Sequence, residues 1–384
     1  MNRNSKCLIH ISFDYPDSIN NQKTKAVSNL VDAQTTFRNI VFSLNRTANP
    51  FADFSYREEP HGYSLKVFGL PFGIGLRLWM FLAAKKIDKI ITRERIQFNL
   101  IHGHKLTFEG LIASHLSQKH SIPYLISVRG DTDLKLIKVL KFNRNVFLRT
   151  LQKAKKIIFL APWTKKEIQG MYGKNFCTSN SVVMPNIIKF NNILESPRDE
   201  QYTDRFVSVF HLDSYKRKNI KRTIAAMDAV HKQYPQLKLD IVGGGKSAGK
   251  INSYISKCKY PSQFRLLGKA DHLDVLAMYS KYLGLILPSF PETFGLVFVE
   301  ALYSGIPVLY SKKSGIDGYF DDLQVCEKVH YKSVKEIQEG IVKIFEENSN
   351  YRKSINLMKS KDGFLKFSKE HISSKYTNIV AELV

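Results

Sequence analysis

The stretch that decides the fold is residues 283–311, which read LGLILPSFPETFGLVFVEALYSGIPVLYS. An apolar run ends at Pro288, a short loop follows, a helical pattern runs to Gly305, and a second apolar run begins at Pro307. Short apolar runs of this kind predict strands that are buried on both faces, and a helix between two of them is typical of a parallel crossover. The stretch therefore predicts a β–α–β unit.

The same alternation extends outward along the whole chain. In the second half, further strands are predicted at residues 206–212, 237–245 and 264–270. In the first half, they are predicted at residues 7–13, 39–45, 98–104, 123–130, 155–162 and 181–187. Helical patterns separate most of these runs, so the fold class is α/β. We expect two Rossmann-like, doubly wound parallel-sheet domains facing a cleft.

A polar stretch without periodicity divides the two halves. We predict an N-terminal domain over residues 1–190, a linker over 191–204 and a C-terminal domain over 205–360. The last pattern, residues 361–384, predicts a helix that could pack on the N-terminal domain.

Composition excludes a disordered or collagen-like chain and predicts a basic surface. Of 384 residues, 43% are hydrophobic, and the excess of Lys and Arg over Asp and Glu gives a net charge of +24. Such a charge predicts attraction to anions such as nucleic acid, phosphorylated ligands or an anionic membrane. The four cysteines are far apart, which argues against a disulfide framework or a zinc site and for a reducing compartment. With no secretory signal evident, we expect a cytoplasmic protein.

One apolar stretch, Val67–Ala84, is close to the length that spans a membrane. It contains Pro71, Arg77 and three glycines, which argue against a transmembrane helix. A buried or interfacial helix is the favoured interpretation, with Lys85 and Lys86 at its C-terminal end.

The loop and helix within residues 288–305 are the best candidate for chemistry. Glu292 comes just before the predicted helix, which should begin near Phe294, and Glu300 lies about two turns further along. Amides at a helix start bind anions, and Gly295 allows a ligand to approach the backbone closely. The alternative is that both glutamates are structural, but a charge among apolar neighbours such as those of Glu300 needs a specific partner.

This stretch resembles the E-x7-E signature of the retaining GT-B glycosyltransferases of family 4, also called glycosyl transferases group 1. The segments that carry the resemblance are ETFGLVFVE and SGIPV, and the likeness covers most of residues 206–318. The resemblance implies transfer of a sugar, with retention of configuration, from a nucleotide diphosphate sugar to a saccharide or lipid-linked acceptor. The donor would be UDP- or GDP-linked, and neither a metal nor a further cofactor is implied.

The resemblance also implies roles for the residues of the signature. Glu292 would contact the donor sugar and Glu300 the ribose, while the amides of Phe294, Gly295 and Leu296 would hold the diphosphate and the sugar.

A basic loop after the first strand of the C-terminal domain corresponds to the family's phosphate-binding Arg and Lys. Counted back from the following helix, Lys218 occupies the Lys position; counted forward from the strand, Lys216 does. His211 stands where Arg is usual, and Arg217 could supply the guanidinium. Fixed cations there would stabilise the charge that develops on a leaving diphosphate. A solvated basic loop is the alternative.

Glycines follow two other strands of this domain. Gly244 lies in the Gly-Gly-Gly run at residues 243–245, where the family has a glycine-rich turn near the donor, and Gly268 ends the next strand. Any turn between a strand and a helix can use glycine, so these two donor-binding assignments depend on the resemblance.

The N-terminal domain should bind the acceptor. His102 and His104 end a predicted strand, and His104 is a candidate catalytic residue, although either could be a structural histidine. Arg129 and Asp131 follow the next strand, and Arg129 occupies the position where many family members have a histidine. These strand ends are where open parallel sheets bind ligands.

Family relatives often build surface polysaccharides at the inner face of the membrane, so the resemblance also implies a peripheral contact with an anionic bilayer. Two other functions stay open. One is another enzyme of the same architecture, such as a sugar-nucleotide epimerase. The other is a basic nucleic-acid-binding protein, for which the sequence contains no recognised nucleic-acid-binding motif.

Overall fold

The computed structural model describes residues 6–176, 178–190 and 203–384. The chain forms two compact units: unit 1 comprises Met1–Ile187 and Lys369–Val384, and unit 2 comprises Ile188–Ser368. Residues 191–202 of the predicted linker lie outside the described residues, so the linker stays a prediction.

Unit 1 is built on an eight-stranded sheet in the order β3-β4-β2-β1-β5-β6-β7-β8. Its strands are β1 (Cys7–Ser12), β2 (Arg38–Thr47), β3 (Tyr56–Glu59), β4 (Gly62–Phe68), β5 (Leu100–Gly103), β6 (Tyr124–Val128), β7 (Lys156–Phe159) and β8 (Ser181–Val183). All pairings are parallel except that of β3 with β4, because the two residues that join these strands can only form a hairpin. This polar edge hairpin was not predicted from the sequence.

Among the residues of unit 1 that the structure describes, seven helices are formed. They are α1 (Ala26–Ala33), α2 (Leu76–Arg93), α3 (Glu109–His120), α4 (Asp131–Val139), α5 (Arg144–Lys153), α6 (Pro162–Tyr172) and the C-terminal α13 (Lys369–Ala381). Ile372 and Tyr376 of α13 are buried in one core cluster with Leu8 and Leu100 of the sheet. The helix begins at Lys369 rather than at residue 361, because a left-handed Asp362 and a short 3₁₀ turn interrupt the predicted pattern.

The apolar stretch Val67–Ala84 is not a single helix, so the prediction is wrong on this point. Its first residues end β4, Pro71–Gly73 form a 3₁₀ turn, and α2 begins only at Leu76. The left-handed backbone of Gly73 and Gly75 separates the turn from the helix. Within the described residues, no helix is both long enough and apolar enough to cross a membrane.

Unit 2 is built on a six-stranded, wholly parallel sheet in the order β11-β10-β9-β12-β13-β14. Its strands are β9 (Arg205–Val209), β10 (Lys238–Val242), β11 (Phe264–Gly268), β12 (Gly284–Ile286), β13 (Val308–Ser311) and β14 (Cys326–Val329). Its helices are α7 (Ile220–Val230), α8 (Ala248–Ile255), α9 (His272–Met278), α10 (Leu296–Tyr303), α11 (Val334–Glu346) and α12 (Asn348–Ser360).

The strand order of unit 2 places its candidate site. β9 lies at the centre between β10 and β12, so the chain leaves β9 in one direction and later returns on its other side. Ligands of open α/β sheets bind at the carboxyl ends of strands beside such a reversal. The loops that follow β9 and β12 are the predicted phosphate-binding loop and the loop of Glu292, and the parallel pairing brings both to the same edge. The predicted Rossmann-like architecture is confirmed in each unit.

Candidate functional site

The centre of the candidate site is an ion pair between the two loops at the end of β9 and β12. Lys218 donates to the Glu292 carboxylate, and both side chains are about nine-tenths buried. The hydroxyl of Ser289 donates a second, longer hydrogen bond of 3.2 Å to the same carboxylate oxygen. The structure thus brings together Lys218 and Glu292, which are 74 residues apart in the sequence.

Backbone hydrogen bonds fix the Glu292 loop against the loop that follows β13. The Glu292 amide donates to the Ser314 hydroxyl at 2.8 Å, and the Gly315 amide donates to the Glu292 carbonyl at 2.8 Å. Ser314 in turn donates to the Ser289 carbonyl at 3.2 Å. The position of the carboxylate is therefore set by backbone contacts on both sides of it.

Gly295 is required by its conformation and by its neighbours. It has a φ of +73° and caps the start of α10. A Cβ added there would lie 2.5 Å from the ring of Phe298 and 3.3 Å from the Glu292 side chain. Only glycine combines this left-handed backbone with such close packing. A side chain at this position would push the Glu292 loop and the Phe298 ring apart.

The helix begins two residues later than predicted. α10 starts at Leu296 rather than near Phe294, because the left-handed Gly295 cannot belong to it. Phe294 is instead buried, with its ring centroid 6.0 Å from that of Tyr319. In the first turn of α10, the Phe298 amide donates to the Gly295 carbonyl at 3.0 Å. The amides that precede it have no carbonyl partner within the helix, as at every helix start, and such amides can bind an anion.

Glu300 lies on α10 and is also buried, and its carboxylate accepts a hydrogen bond of 3.1 Å from Nε2 of His272. Burial raises the pKa of Glu300, and the charge and hydrogen bond of His272 act in the opposite direction. His272 begins α9 and is mostly exposed. His272 was not predicted as a site residue, and only its position shortly after the end of β11 indicated that it could be one.

The structure separates the four basic candidates of the β9 loop. Lys218 alone of these side chains is ion-paired with Glu292, while Lys216 and Arg217 are exposed, with the Lys216 ammonium 5.9 Å from the ring of Tyr215. His211 is two-thirds exposed.

The glycines after β10 and β11 lie together at the same sheet edge. The Gly243 amide donates to the Gly268 carbonyl at 2.7 Å, and the Leu212 amide donates to the Gly244 carbonyl at 2.9 Å. A Cβ on Gly244 would lie 3.2 Å from the Lys269 side chain. The loops that follow β9, β10 and β11 therefore form one hydrogen-bonded edge that includes both predicted glycines.

In unit 1, the two histidines predicted to face a ligand are buried with a third. His102 and His104 are fully buried with His10, and Nδ1 of His10 lies 3.1 Å from Nε2 of His104. Burial lowers the pKa of His10 to about 4 and lowers those of the other two, so all three rings are neutral near pH 7. The ring nitrogens of His102 bind the hydroxyls of Tyr376 and Ser127, which favours a structural role for His102.

His104 differs from His102 because its Nδ1 is buried without a hydrogen-bond partner in the described structure. Its catalytic assignment stays a prediction. One ligand atom from each of His10, His102 and His104 lies within 4.8 Å of the others, so these are the described residues that could hold a metal ion. The hydrogen bond between His10 and His104, and those of His102, already engage most of these nitrogens.

The other acceptor-side candidates lie at the end of β6. Arg129 is buried and donates to the Asn186 side chain at 2.9 Å, and the two residues line a small cleft together with Ser127. Asp131 begins α4 and is partly exposed.

A further group of buried ionisable side chains, not predicted from the sequence, lies at the ends of β1 and β5. Lys105 and Asp14 form an ion pair of 2.7 Å, and burial raises the pKa of Glu109 to about 8. One Glu109 oxygen accepts the Phe13 amide at 2.9 Å, while the other is buried without a partner in the described structure. These residues follow β1 and β5, but nothing in their local sequence pattern indicates burial.

Two family models match the sequence. The model described as Glycosyltransferase Family 4 matches residues 39–191, and the model described as Glycosyl transferases group 1 matches residues 194–360. The two matches follow one another and together account for most of the chain.

Individual proteins extend these matches. An uncharacterised glycosyltransferase of Methanocaldococcus jannaschii is 28% identical over 242 residues, covering 62% of this chain and 63% of that protein. The chain thus spans less than two thirds of that relative. The sucrose-phosphate synthase of Thermosynechococcus elongatus has a TM-score of 0.69 at 18% identity, over 98% of this chain and 99% of that one. HepE of Anabaena, solved in complex with UDP, has a TM-score of 0.69 at 15% identity, over 98% and 100%. At these identities the solved structures show a shared fold.

Proposed function

The chain belongs to family 4 of the GT-B glycosyltransferases, and we propose that it transfers a sugar from a nucleotide diphosphate sugar to a saccharide or lipid-linked acceptor. The observation that carries the proposal is the buried pair of Lys218 and Glu292 beside the start of α10, with Glu300 on the same helix. Burying charged groups costs free energy unless they are paired. The arrangement also places a lysine and a helix start together at one sheet edge, and both favour the binding of an anion.

We assign the donor to unit 2. The diphosphate would accept hydrogen bonds from the amides at Gly295 and Leu296 and share the Lys218 ammonium with Glu292. The Glu292 carboxylate would accept from sugar hydroxyls, and the Glu300 carboxylate from the ribose hydroxyls. Lys218 holds the Glu292 carboxylate and His272 holds that of Glu300, so each carboxylate has a defined position. The UDP bound in HepE supports a UDP-linked donor here.

The proposed reaction is a retaining hexosyl transfer. The bond between the anomeric carbon and the leaving phosphate oxygen breaks, and the acceptor hydroxyl oxygen forms the new glycosidic bond on the same face. The acceptor proton passes to the departing phosphate. Lys218 and the helix-start amides stabilise the negative charge that develops on the diphosphate, and this is where fixed charges contribute most to catalysis.

We assign the acceptor to unit 1, at Arg129, Asp131 and the buried charged groups around Lys105. The biological role that we propose is surface-polysaccharide synthesis in a bacterial cytoplasm, with the enzyme in peripheral contact with the inner face of the membrane. The net charge of +24 supports attraction to an anionic bilayer.

The first experiment is a thermal-shift screen of UDP-, GDP-, ADP- and CMP-sugars. A donor at about 100 times its dissociation constant should stabilise the protein by about 2.7 kcal/mol. The stabilising donor is then incubated with candidate acceptors, and the anomeric configuration of the product is read by NMR. Lys218→Met should abolish the shift, whereas Lys216→Met, a change on the same loop, should retain it.

Three results would contradict the proposal. The first is stabilisation by none of these donors. The second is a product with inverted configuration, which would refute the retaining step. The third is conversion of the sugar nucleotide without any acceptor, which would indicate the epimerase that the sequence leaves open.

A further inference from the structure

Unit 1 carries a cluster of exposed apolar side chains that its core does not use. They come from the 3₁₀ turn and the start of α2, and from the end of α4 with the turn after it. The members of this apolar patch are Phe72, Ile74, Leu78, Phe81, Leu82, Val139 and Phe142. Phe72 is 83% exposed, and Phe142 is as exposed as an isolated residue. Large apolar groups that are clustered in this way mark an interaction surface.

The two segments of the apolar patch are adjacent. A Cβ added to Gly73 would lie 2.7 Å from Cδ1 of Leu140, so the turn that presents Phe72 lies against the turn that presents Phe142. Phe72 itself has a φ of +57°. A left-handed backbone costs a non-glycine residue free energy, and such strain is commonly found at functional positions.

Along α2 the exposed face changes from apolar to basic. Leu78, Leu82, Lys85 and Lys89 are exposed at spacings of four, three and four residues, which places them on one face of the helix. The Lys85 ammonium lies 4.7 Å from the ring of Phe81. The face therefore has an apolar half beside the turn and a cationic half beyond it.

The two segments that carry the apolar patch are basic, and of their exposed cations Lys138 is paired with Glu167 of α6 at 3.3 Å. Residues 71–87 and 134–149 contain no Asp or Glu. The exposed cations of these two segments include Arg77, Lys85, Lys135, Lys141 and Arg149. An apolar centre with a cationic margin matches a lipid surface of opposite charge.

The same features argue against two other occupants. A second copy of the chain would bring two cationic margins together in a protein of net charge +24, where like charges repel. A nucleic acid would meet the cations, and its bases could stack on the phenylalanines, but it would leave the aliphatic Ile74, Leu78 and Val139 uncovered. An anionic bilayer satisfies both halves of the surface.

We propose that the apolar patch and its cationic margin dock unit 1 onto an anionic lipid bilayer. The aromatic and aliphatic side chains enter the interface while the lysines and arginines contact lipid phosphates. This deepens the proposed function by naming the surface for peripheral contact, where a lipid-linked acceptor would be available. The docking itself does not depend on sugar transfer, so the two can fail separately.

The test is co-sedimentation of the full chain with vesicles of phosphatidylcholine alone or with 30% phosphatidylglycerol. We expect binding to the anionic vesicles, because each cation near such a surface contributes about fivefold in affinity. This binding should fall as NaCl rises, because salt screens the charges. Phe72→Ser combined with Phe142→Ser should weaken binding at least tenfold. The matched control is Leu273→Ser with Leu357→Ser, two exposed leucines of unit 2, which should leave binding within twofold of wild type.

Each outcome is decisive when folding is checked by thermal melting and by the donor-induced thermal shift. Equal binding to both vesicle types, or equal loss in patch and control variants, overturns the proposal. A dimer in solution that dissociates in the Phe72 and Phe142 variant would identify a second copy as the occupant and also overturn it. Loss of vesicle binding with an unchanged donor shift supports it. A donor shift that is absent in wild type would count against the proposed function alone.

Discussion

The ion pair of Lys218 and Glu292 allows the structural and catalytic roles of these residues to be separated. Both side chains are about nine-tenths buried, so removal of one partner leaves a desolvated charge, at a cost of about 3 kcal/mol. For a unit the size of Ile188–Ser368, 1 kcal/mol corresponds to roughly 2–4 °C in the melting midpoint. We therefore expect Lys218→Met and Glu292→Gln each to lower that midpoint by about 6–12 °C.

The double variant removes both charges at once. Neither charge is then left unpaired, so the double variant should lose less free energy of unfolding than the two single variants together, by about 2 kcal/mol. Sugar transfer should not recover with stability: all three variants should be at least about 10²-fold slower, because the cation at the leaving group is missing or its partner is lost. The assays are thermal melting and release of nucleoside diphosphate with the donor identified by the screen.

A matched control is available on the same unit. Lys312 and Glu336 form an ion pair of 3.0 Å with both side chains more than a third exposed. Lys312→Met should cost about 0.5 kcal/mol or less and leave transfer unchanged. Strictly additive melting losses for Lys218 and Glu292 would show that they are not coupled, and wild-type turnover in the double variant would refute their role in transfer.

Three further predictions follow from the two units. Gly295→Ala should destabilise unit 2 by about 1–3 kcal/mol in thermal melting and abolish the donor-induced shift, because its Cβ would meet the Phe298 ring in a left-handed conformation. Donor affinity, measured as a function of pH, should fall as the pH is lowered and Glu300 is protonated. His272→Gln should move the midpoint of this loss to higher pH, because His272 lowers the pKa of Glu300. The pKa of Glu109 is raised to about 8, so the folded protein holds a proton that the unfolded chain releases near pH 4.5. The free energy of unfolding should therefore fall between about pH 5 and 8, by up to 1.4 kcal/mol per pH unit. Glu109→Gln should flatten that slope in urea titrations.

The sequence was sufficient to predict the strands whose side chains are buried on both faces of a sheet. Strands β1 and β12 are buried along their whole length, so their largely apolar runs identify them without tertiary information. The hairpin of β3 and the edge strand β14 were missed because YREE and CEKV contain charged residues on exposed edges. Hydrophobic periodicity carries no signal for such strands.

The candidate site was predictable where its residues are close in sequence and not where the fold brings them together. Glu292, Gly295 and Glu300 lie within nine residues, so their spacing was readable. The choice between Lys216 and Lys218 depended on where β9 ends and α7 begins, and element ends are poorly marked in sequence. His272 meets Glu300 only because α9 and α10 are neighbours in unit 2, which no local pattern encodes.

Burial of charge at the sheet edges is the strongest argument that both units bind ligands. In unit 1, Lys105 and Arg129 are buried or nearly so after β5 and β6, and in unit 2 Lys218 and Glu292 are buried after β9 and β12. Apolar residues of similar size would often give equal or greater stability, so the fold alone does not require these charges. They lie at the carboxyl ends of central strands, where parallel sheets bind ligands. We therefore expect a ligand to bind at these residues in each unit.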